Sequence, residues 1–358
     1  MDIESRISLI KQVGEEIVTE EELKKLLETK TRLIAYDGFE PSGNVHIAQG
    51  LMRAINVNKM IKAGCHFKMY VADWHAWANN KISGNLENIQ TVGQYLIEVW
   101  KVCGMDLKHV DFIWANDIVA DRDYWKIVMQ VARKSTINRI IRCGQTIGRK
   151  DKEMQNASQI IYPCMQAADI FYLKTDICQL GMDQRKVNIL ARELAPDLGF
   201  AKPVIVSHHM LLGLGKPATQ IEDRFDRILE LKMSKSKPES AIFMTDTEED
   251  IMRKITYAYC PPKIIEDNPI AEYLKYIIFE KFDEIEIKRD VKYGGNIAIK
   301  NYEEFVKLYS EGKIHPADLK SSVSFYINKL VEPVRDHFKT NKKAKELLEK
   351  VESFPVTR

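Results

Sequence analysis

Short apolar stretches alternate with longer amphipathic ones from about residue 31 to residue 207, and this alternation constrains the fold more than any other feature. The apolar stretches read RLIAYDG, FKMYVAD, VDFIWAN, DICQL and PVIVS, and helical patterns separate them. Strand and helix in alternation predict a parallel sheet with helices on both of its faces. We therefore expect one α/β domain over residues 31–245.

The pattern changes on either side of this domain. Residues 1–30 have a helical pattern in which Thr19 and Glu22 are spaced as a capping box, so we expect a helical extension there. After residue 245, segments such as DTEEDIMRKITYAYC and HPADLKSSVSFYINKLVEPV have helical periodicity and little strand signal. The sequence thus predicts a second, all-helical domain over residues 246–358.

Composition excludes several classes of protein. The chain has 358 residues, 45% of them hydrophobic, which is enough for a substantial core. A net charge of +2 means that any nucleic-acid site is a local patch. The six cysteines form no CxxC pair, which favours reduced thiols over a zinc site. Without a signal pattern or an apolar run of membrane-spanning length, we expect a soluble, cytoplasmic protein with no metal site and no membrane partner.

The segment PSGNVHIAQG, residues 41–50, directly follows the first predicted strand. Ligands bind at this edge of an open parallel sheet, because the N–H groups of helix N-termini face anions there. A regular helix places His46 in its first turn and Gly50 one turn later on the same face. Glycine weakens a helix by about 1 kcal/mol relative to alanine, so something flat, such as a nucleobase, is expected to pack on it. A capped helix with a solvated histidine and a glycine kept for packing is an equally good interpretation.

The segment KMSKSK, residues 232–237, places three lysines and two serines in a stretch that is too polar for a core element. Mobile ammonium groups suit the charge that develops on a leaving pyrophosphate. Taken alone, this segment is equally consistent with a solvated basic loop. It is more informative together with the helix predicted after the first strand, whose N-terminus is placed to bind an anion.

The segment YPCMQAADIFYL places Tyr162, Gln166 and Asp169 on one helix face, with Pro163 expected in the first turn. The other residues from Pro163 to Phe171 are apolar or small, so the helix is expected to be buried and its polar side chains to need partners. Either these side chains satisfy one another, or they line a polar cavity. A carboxylate in such a cavity needs a donor such as a phenol, and Tyr36 at the end of the first strand is a second hydroxyl for it.

The segment QLGMDQRK ends a strand and opens a helix with Asp183 and Gln184. A carboxylate at this point can hold ribose hydroxyls, as the acidic residue of dinucleotide-binding folds does. An ordinary N-terminal capping aspartate is the alternative.

In this order the four segments resemble the class I aminoacyl-tRNA synthetases. HIAQ is similar to the HIGH signature of that family, and KMSKS is its second signature letter for letter. Over nearly its whole length the chain resembles the tyrosyl-tRNA synthetases of eukaryotic and archaeal type. Tryptophanyl-tRNA synthetases share both signatures, but the residues around Tyr36 and Asp169 match the tyrosine pattern. The resemblance implies a Rossmann-like catalytic domain, with a connective insertion at about 115–165, followed by an anticodon-binding helical domain.

The resemblance also implies a reaction and a role for each candidate residue. The reaction is ATP-dependent activation of L-tyrosine to tyrosyl-adenylate, then transfer to the 3′-terminal adenosine of tRNA(Tyr), with Mg²⁺ arriving on ATP and no protein cage for it. The residues implied to bind tyrosine are Tyr36, Tyr162, Gln166, Asp169 and Gln184. Those implied to bind ATP are Gly43, His46, Gln49, Gly50, Asp183, Met233, Lys235 and Ser236. Those implied to act on the reacting phosphates are His46, Lys232 and Lys235.

Two regions are implied to contact tRNA. In the helical domain, the resemblance implies that Tyr293, His315 and Asp318 contact the anticodon, because an aromatic ring and a carboxylate suit an exposed base. A plain helix start at HPADL is the alternative. In the insertion, residues 133–150 contain no acidic side chain, and the family has acceptor-stem contacts and a homodimer interface there; a solvated basic face is equally possible. The basic residues are Arg133, Lys134, Arg139, Arg142, Arg149 and Lys150.

The chain departs from the first signature, where Ala48 replaces its glycine and Gln49 its second histidine. Gln49 can donate a hydrogen bond to ATP but cannot carry a proton charge. Three other functions compete with the tyrosine enzyme: a tryptophanyl-tRNA synthetase, a small-molecule adenylyltransferase, and a synthetase-like RNA-binding protein without catalysis. The helical second domain disfavours the adenylyltransferase, and the complete set of polar pocket residues disfavours the non-catalytic protein.

Overall fold

A six-stranded sheet lies at the centre of the computed structural model, which describes residues 1–144, 156–217 and 224–355. The strand order is β1-β6-β5-β2-β3-β4. Strands β2 to β6 pair in parallel, which confirms the predicted α/β fold. The strands are β1 Gly14–Val18, β2 Leu33–Phe39, β3 Cys65–Val71, β4 Val110–Trp114, β5 Ile177–Cys178 and β6 Val204–His208.

Helices cover the sheet and connect its strands. A π-helical turn, Ala48–Met52, precedes α3, and a short 3₁₀ turn, Met182–Gln184, precedes α10. The α-helices of this region are α1 Ile3–Val13, α2 Glu20–Thr29, α3 Arg53–Lys62, α4 Asp73–Ala78, α5 Leu86–Val102, α6 Ala115–Val119, α7 Arg122–Lys134, α8 Ile137–Cys143, α9 Ala157–Tyr172, α10 Arg185–Leu198 and α11 Arg224–Leu231.

The N-terminal segment is not entirely helical, because β1 forms within it and pairs antiparallel with β6 at the edge of the sheet. This finding corrects the helical extension expected over residues 1–30 and adds one antiparallel edge strand to the predicted parallel sheet. The five residues GEEIV have no alternating pattern, so pairing with β6 decides their conformation. Thr19 caps α2 as predicted, but the Glu22 carboxylate accepts from Lys202, at 2.9 Å, and from Arg192 rather than completing the capping box.

Helix α9 begins earlier than the sequence predicts. A capping box of Asn156 and Gln159 starts the helix, and Pro163 lies in its interior rather than in its first turn. Proline in a helix interior removes one N–H donor. Most of α9 is buried and packs on α7, α8 and α10, which offsets that loss.

The region after residue 245 is mainly helical but contains a β-hairpin, which corrects the all-helical prediction. Its strands are β7 Ile285–Ile287 and β8 Ile297–Ile299. Each strand has only three residues, too few for a period of two to stand out in the sequence. The helices are α12 Glu248–Tyr257, α13 Pro269–Tyr273, α14 Tyr302–Ser310, α15 Pro316–Thr340 and α16 Lys342–Ser353, and a π-helical turn, Leu274–Ile278, continues α13.

Two apolar cores lie on opposite faces of the sheet. One packs α3 and α5 on the sheet and continues into the helices after residue 245. The other packs α6 to α10 and includes Tyr36 and Tyr70. Because side chains alternate along a strand, Ala35 enters the first core while its neighbour Tyr36 faces α9. Among the described residues, no helix combines the length and apolar character needed to cross a bilayer.

Candidate active site

A cavity of about 250 Å³ lies at the carboxyl ends of β2, β5 and β6, where the predicted ligand site falls. Most of the residues predicted for tyrosine and ATP line it, together with several that the sequence did not indicate. The lining includes Tyr36, Asp37, His46, Gln49, His75, Tyr162, Gln166, Asp169, Asp183, Gln184, His208, His209, Lys232 and Met233.

Asp169 lies at the buried end of this cavity and is 1% exposed. Its Oδ1 accepts hydrogen bonds from the Tyr70 hydroxyl at 2.9 Å and from the Tyr124 hydroxyl at 3.0 Å. His75 Nε2 lies 3.0 Å from Oδ2. Burial, followed by the Asp169 charge, holds the pKa of both phenols well above the usual range, so both remain donors.

Tyr36 was the predicted hydroxyl neighbour of Asp169. It lines the cavity, and its ring lies 5.9 Å from that of Tyr70, but the donors to Asp169 are Tyr70 and Tyr124. The sequence reasoning missed both of these tyrosines and His75. Tyr70 lies near the carboxyl end of β3, where it pairs with Gly38 of β2, two residues beyond Tyr36, and this position was a usable signal. Tyr124 on α7 gave no comparable signal.

The three polar residues predicted for the amino end of the substrate also lie together. Gln166 Nε2 donates to Gln184 Oε1 at 3.0 Å. The Tyr162 ring packs edge-on against His75, with ring centroids 5.0 Å apart. Burial, and then the charge of Glu40, holds the pKa of Tyr162 well above the usual range.

The opposite end of the cavity is basic. Lys232 Nζ lies 2.6 Å from Asp183 Oδ2, and Lys235 Nζ donates to Ser42 Oγ at 3.2 Å and to the Gly43 carbonyl at 3.4 Å. Burial, and then the charge of Lys81, lowers the pKa of Lys235 to about 7. The KMSKS loop therefore contacts the loop that follows β2, although the two are far apart in sequence.

His46 is buried beside these lysines. Burial, and then the positive charges of Lys235 and Lys232, holds the pKa of His46 well below its usual range. The imidazole is therefore neutral at pH 7. Its Nδ1 has no hydrogen-bond partner among the residues that the structure describes, so it is available to a ligand.

A buried polar network, which the sequence reasoning missed, supports the cavity between these two ends. Arg53 Nη1 donates to Asp37 Oδ2 at 2.6 Å, and Arg53 Nη2 donates to Gln179 Oε1. Gln179 Nε2 in turn lies 3.0 Å from His208 Nδ1. Burial raises the pKa of Asp37 to about 7, although Arg53 opposes the shift.

Comparison with known proteins shows which family the chain belongs to. The profile of the family described as tRNA synthetases class I (W and Y) matches residues 28–332. A tyrosine–tRNA ligase of Arabidopsis thaliana, named as cytoplasmic, is 50% identical over 361 residues, which cover 100% of this chain and 90% of that relative. This chain belongs to the class I aminoacyl-tRNA synthetases.

Solved structures agree with the tyrosine branch of the synthetases. A tyrosyl-tRNA synthetase of Pyrococcus horikoshii, complexed with L-tyrosine, is 38% identical, with a TM-score of 0.90 and coverage of 98% of this chain and 100% of that one. A tyrosyl-tRNA synthetase of Leishmania major, in complex with tyrosinol, is 43% identical with a TM-score of 0.89. This chain covers 52% of the Leishmania chain, about half its length. The resemblance to tyrosyl-tRNA synthetases is thus confirmed.

The signature helix of this synthetase differs from the predicted regular helix. His46 precedes the π-helical turn, and Gly50 lies within it. Gly50 does not line the cavity; a Cβ added there would lie 2.6 Å from Met244 Sδ. Close packing of the chain on itself is thus sufficient to account for the glycine, and its contact with a nucleobase stays a prediction.

Of the other residues of the synthetase predicted to bind ATP, some line the cavity and some do not. Gln49 and Met233 line the cavity. Within the described ranges, Gln49 Oε1 has no hydrogen-bond partner, while its carbonyl accepts from Trp100 Nε1 at 2.7 Å. Gly43, Lys235 and Ser236 do not line it. Lys235 Nζ donates to the Gly43 carbonyl beside the cavity, and the Ser236 hydroxyl lies 2.9 Å from that of Ser234.

The helical region of the synthetase has a second cavity, of about 810 Å³, that brings Tyr293, His315 and Asp318 together. Arg289 and Lys313 also line it. Tyr293 is 65% exposed, so its ring is accessible to a partner.

The basic stretch of the synthetase insertion is only partly described, because Arg149 and Lys150 lie outside the described residues. Arg139 pairs with Glu193 at 2.7 Å and Lys134 with Asp197 at 3.3 Å. Part of this positive charge is therefore balanced by α10. Across residues 1–144, 156–217 and 224–355 there is no group of three or more His, Cys, Asp or Glu side chains placed to hold a metal.

Proposed function

We propose that this chain activates L-tyrosine with ATP and transfers the tyrosyl group to the 3′-terminal adenosine of tRNA(Tyr). One observation carries the proposal. A single cavity has a buried carboxylate, Asp169, at one end and Lys232 of the KMSKS loop at the other, and Lys235 contacts Ser42 in the cavity wall. Such a cavity matches the two ends of an amino-acyl adenylate, a phenol and a phosphate.

The Asp169 end suits a phenol. Oδ1 already accepts two hydrogen bonds, whereas Oδ2 has only the 3.0 Å contact with His75 Nε2 within the described part of the chain and can accept a further hydrogen bond from a substrate hydroxyl. The Tyr36 hydroxyl is the second group that we assign to the substrate phenol. A phenylalanine ring would bring no donor to Oδ2 and would displace water from it, which costs free energy in a buried site. We assign the amino end of the substrate to the group formed by Tyr162, Gln166 and Gln184.

The lysine end suits the reacting phosphates. The tyrosine carboxylate attacks the α-phosphorus of ATP, and the bond to the leaving pyrophosphate breaks. Lys232 and Lys235 then stabilise the charge on the transferred and leaving oxygens, and His46 donates a hydrogen bond from its neutral ring. Asp183, which holds Lys232 in this structure, exchanges that contact for ribose hydroxyls when ATP binds.

Mg²⁺ accompanies ATP in this proposal. Mg²⁺ is usually held on the phosphate oxygens of a nucleotide rather than in a cage of protein ligands, and we assign it that place here. When bound, the metal adds positive charge to the phosphates. The contribution of this chain is to orient ATP through Gln49, Met233, Lys235 and the neighbouring loop after β2.

Exchange of labelled pyrophosphate into ATP tests the activation step. We expect exchange that depends on tyrosine. Exchange with tryptophan in its place would support the sister enzyme, and no exchange with any amino acid would support a non-catalytic RNA-binding protein.

We propose that the cavity of Tyr293, His315 and Asp318 receives an anticodon base. The exposed phenol ring offers a stacking surface, and the carboxylate and imidazole can read the edge of the base. Tyr293→Ala is expected to raise the KM for tRNA about tenfold, since one stacked base contributes about 1–3 kcal/mol. Pyrophosphate exchange should not change; an equal loss in both assays would contradict the assignment.

We also propose that the chain acts as a cytoplasmic homodimer. Four large apolar side chains are exposed on helices α7 to α9, namely Met129, Ile137, Ile160 and Ile161. Exposed apolar side chains concentrated in one region indicate a contact surface. The cytoplasmic name of the Arabidopsis relative and six buried, unpaired cysteines support a reducing compartment. Sedimentation at micromolar concentration tests the dimer.

A further inference from the structure

His209 separates two cavities of the molecule. It follows β6 and lines the active-site cavity together with Leu211. It also lines a cavity of about 630 Å³ that lies between the N-terminal segment and the helical region. The proposed function gives no role to His209, although three parts of the chain meet at its ring.

Two carboxylates and one aromatic ring hold the His209 side chain. Nδ1 lies 3.0 Å from Glu15 Oε2, and Nε2 lies 3.0 Å from Glu272 Oε1. The ring stacks on Tyr276, with centroids 4.5 Å apart and an angle of 12° between the planes. We call Glu15, His209 and Glu272 the clamp. It joins β1, the segment after β6, and α13 of the helical region.

The clamp is positively charged at its centre. Burial lowers the pKa of His209, but hydrogen bonds and charge from both glutamates outweigh it and raise the pKa to about 9. Two other charged or titratable groups face the His209 ring. One is His208, which belongs to the buried Arg53 network, and the other is Lys275, whose ammonium lies 4.9 Å from the Tyr276 ring. At pH 7 the imidazolium therefore pairs with two carboxylates from different parts of the chain.

The helical region also holds the backbone just beyond His209. Glu272 Oε2 accepts from the Leu212 N–H at 2.9 Å, and the Tyr273 hydroxyl donates to the Leu212 carbonyl at 3.1 Å. The Glu272 carboxylate thus contacts both the His209 ring and the Leu212 backbone. Residues 209–212 are consequently fixed from the side of α13.

The backbone of residues 211–213 also forms hydrogen bonds with the start of the KMSKS loop. The Met233 N–H donates to the Leu211 carbonyl at 2.7 Å, and Leu212 forms a β-bridge with Lys232. The Gly213 N–H donates to the Leu231 carbonyl at 2.8 Å. A continuous set of contacts therefore runs from α13, through His209 and Leu212, to the two residues that we assign to ATP.

We propose that the clamp positions the KMSKS loop, with His209 as the residue through which the helical region fixes the placement of Lys232 and Met233. A displacement of about 1 Å at a reacting group can reduce its rate by a factor of about 100. The clamp touches neither the tyrosine end of the cavity nor Asp169. Its loss is therefore expected to affect the ATP step selectively.

Hydrogen–deuterium exchange of the peptide covering residues 228–240 tests the proposal without an activity assay. We expect His209→Gln and Glu272→Gln each to increase exchange in this peptide about tenfold or more. His66→Gln is the matched control, because His66 pairs with Asp111 at 2.6 Å at the opposite end of the strands. Unchanged exchange in both clamp variants, with folding confirmed by thermal melting, would overturn the proposal.

A kinetic readout separates positioning from general damage, and it rests on the proposed function. In pyrophosphate exchange, we expect His209→Gln to lower kcat/KM for ATP about tenfold while the KM for tyrosine changes less than about twofold. Equal losses for both substrates would overturn the positioning role. If the wild-type protein showed no tyrosine-dependent pyrophosphate exchange, the proposed function would be refuted. The hydrogen–deuterium exchange experiment would still test whether the clamp positions the KMSKS loop. Glu272→Ala should be more severe than Glu272→Gln, because only glutamine retains an acceptor for Leu212.

Discussion

At the scale of single residues, Asp169 is a carboxylate that is almost fully buried. Removing a carboxylate from water costs several kcal/mol unless hydrogen bonds replace its hydration. Tyr70 and Tyr124 both donate to Oδ1, so they offset part of this cost and fix the carboxylate in one orientation. Oδ2 is thereby held in the place that we assign to the substrate phenol. We therefore assign the two tyrosines a positioning role in recognition, which they exert through Asp169.

Tyr70→Phe is expected to lower kcat/KM for tyrosine about tenfold, since a hydrogen bond to a charged group contributes about 1.5–3 kcal/mol. The ring is kept, so the packing against Tyr36 and the KM for ATP should not change. Pyrophosphate exchange at varied tyrosine concentration measures the effect. Tyr172→Phe is the control, because Tyr172 donates to Asp121 at 2.7 Å on the surface of the same helix that carries Asp169. Similar kinetics in the two variants would show that the Tyr70 bond is not needed for recognition.

Gly50→Ala separates packing from ligand contact at the signature helix. The new Cβ would lie 2.6 Å from Met244 Sδ and 2.8 Å from its Cγ, so the methionine must move. We expect the free energy of unfolding in urea to fall by about 1–3 kcal/mol from overpacking, partly offset by the better helix propensity of alanine. Gly215→Ala is the control, since a Cβ there meets no atom within 4 Å. A higher KM for ATP with unchanged stability would instead favour contact between Gly50 and adenine.

At the scale of elements, the sequence predicted what depends on local pattern. The parallel strands β2 to β6 and the long α5 carry clear periodicity, and the structure confirms them. It did not predict β1 or the hairpin of β7 and β8, whose short strands exist because of pairing partners distant in sequence. The same limit applied to the cavity: spacing along α9 placed Tyr162, Gln166 and Asp169 together, but Tyr70 and His75 reach Asp169 only through tertiary packing.

The contact between the KMSKS loop and the loop after β2 makes a prediction about pH. In the free protein, burial and Lys81 lower the pKa of Lys235 to about 7, although Glu40 opposes the shift. Raising the pH above 7 therefore removes a positive charge that we assign to ATP, and kcat/KM for ATP should fall. This ratio reports groups of the free enzyme, so it is the correct quantity to measure.

Lys235→Arg should move this fall to higher pH, because a guanidinium stays charged. The fall should remain in Lys237→Arg, whose side chain is exposed and pairs with Glu230 at 2.9 Å. Identical pH profiles for both variants would assign the fall to another group.

At the scale of the whole molecule, the clamp joins three parts of the chain that the sequence suggested as separate units. The N-terminal segment contributes Glu15, the α/β region contributes His209, and the helical region contributes Glu272. One apolar core also continues from the sheet into the helical region. The helical region that contains the cavity of Tyr293, His315 and Asp318 is therefore joined to the region that contains the KMSKS loop by a packed core.

The raised pKa of His209 predicts how global stability depends on pH. The folded pKa is about 9 and the ordinary value is 6.5, so the folded state binds the proton more tightly. The stabilisation is complete below pH 6.5, declines as pH rises, and is lost above pH 9, with a maximum of about 3 kcal/mol from this group. Urea unfolding of the wild type and of His209→Gln should therefore give free energies that differ most at pH 6 and converge by about pH 9.5. Other titrating groups, such as Asp37 and Lys235, contribute equally to both proteins and cancel in the difference. Removing both carboxylates, as Glu15→Gln with Glu272→Gln, should abolish the decline of that difference between pH 6.5 and pH 9.5; if the decline persists, another group titrates and the clamp does not hold the proton.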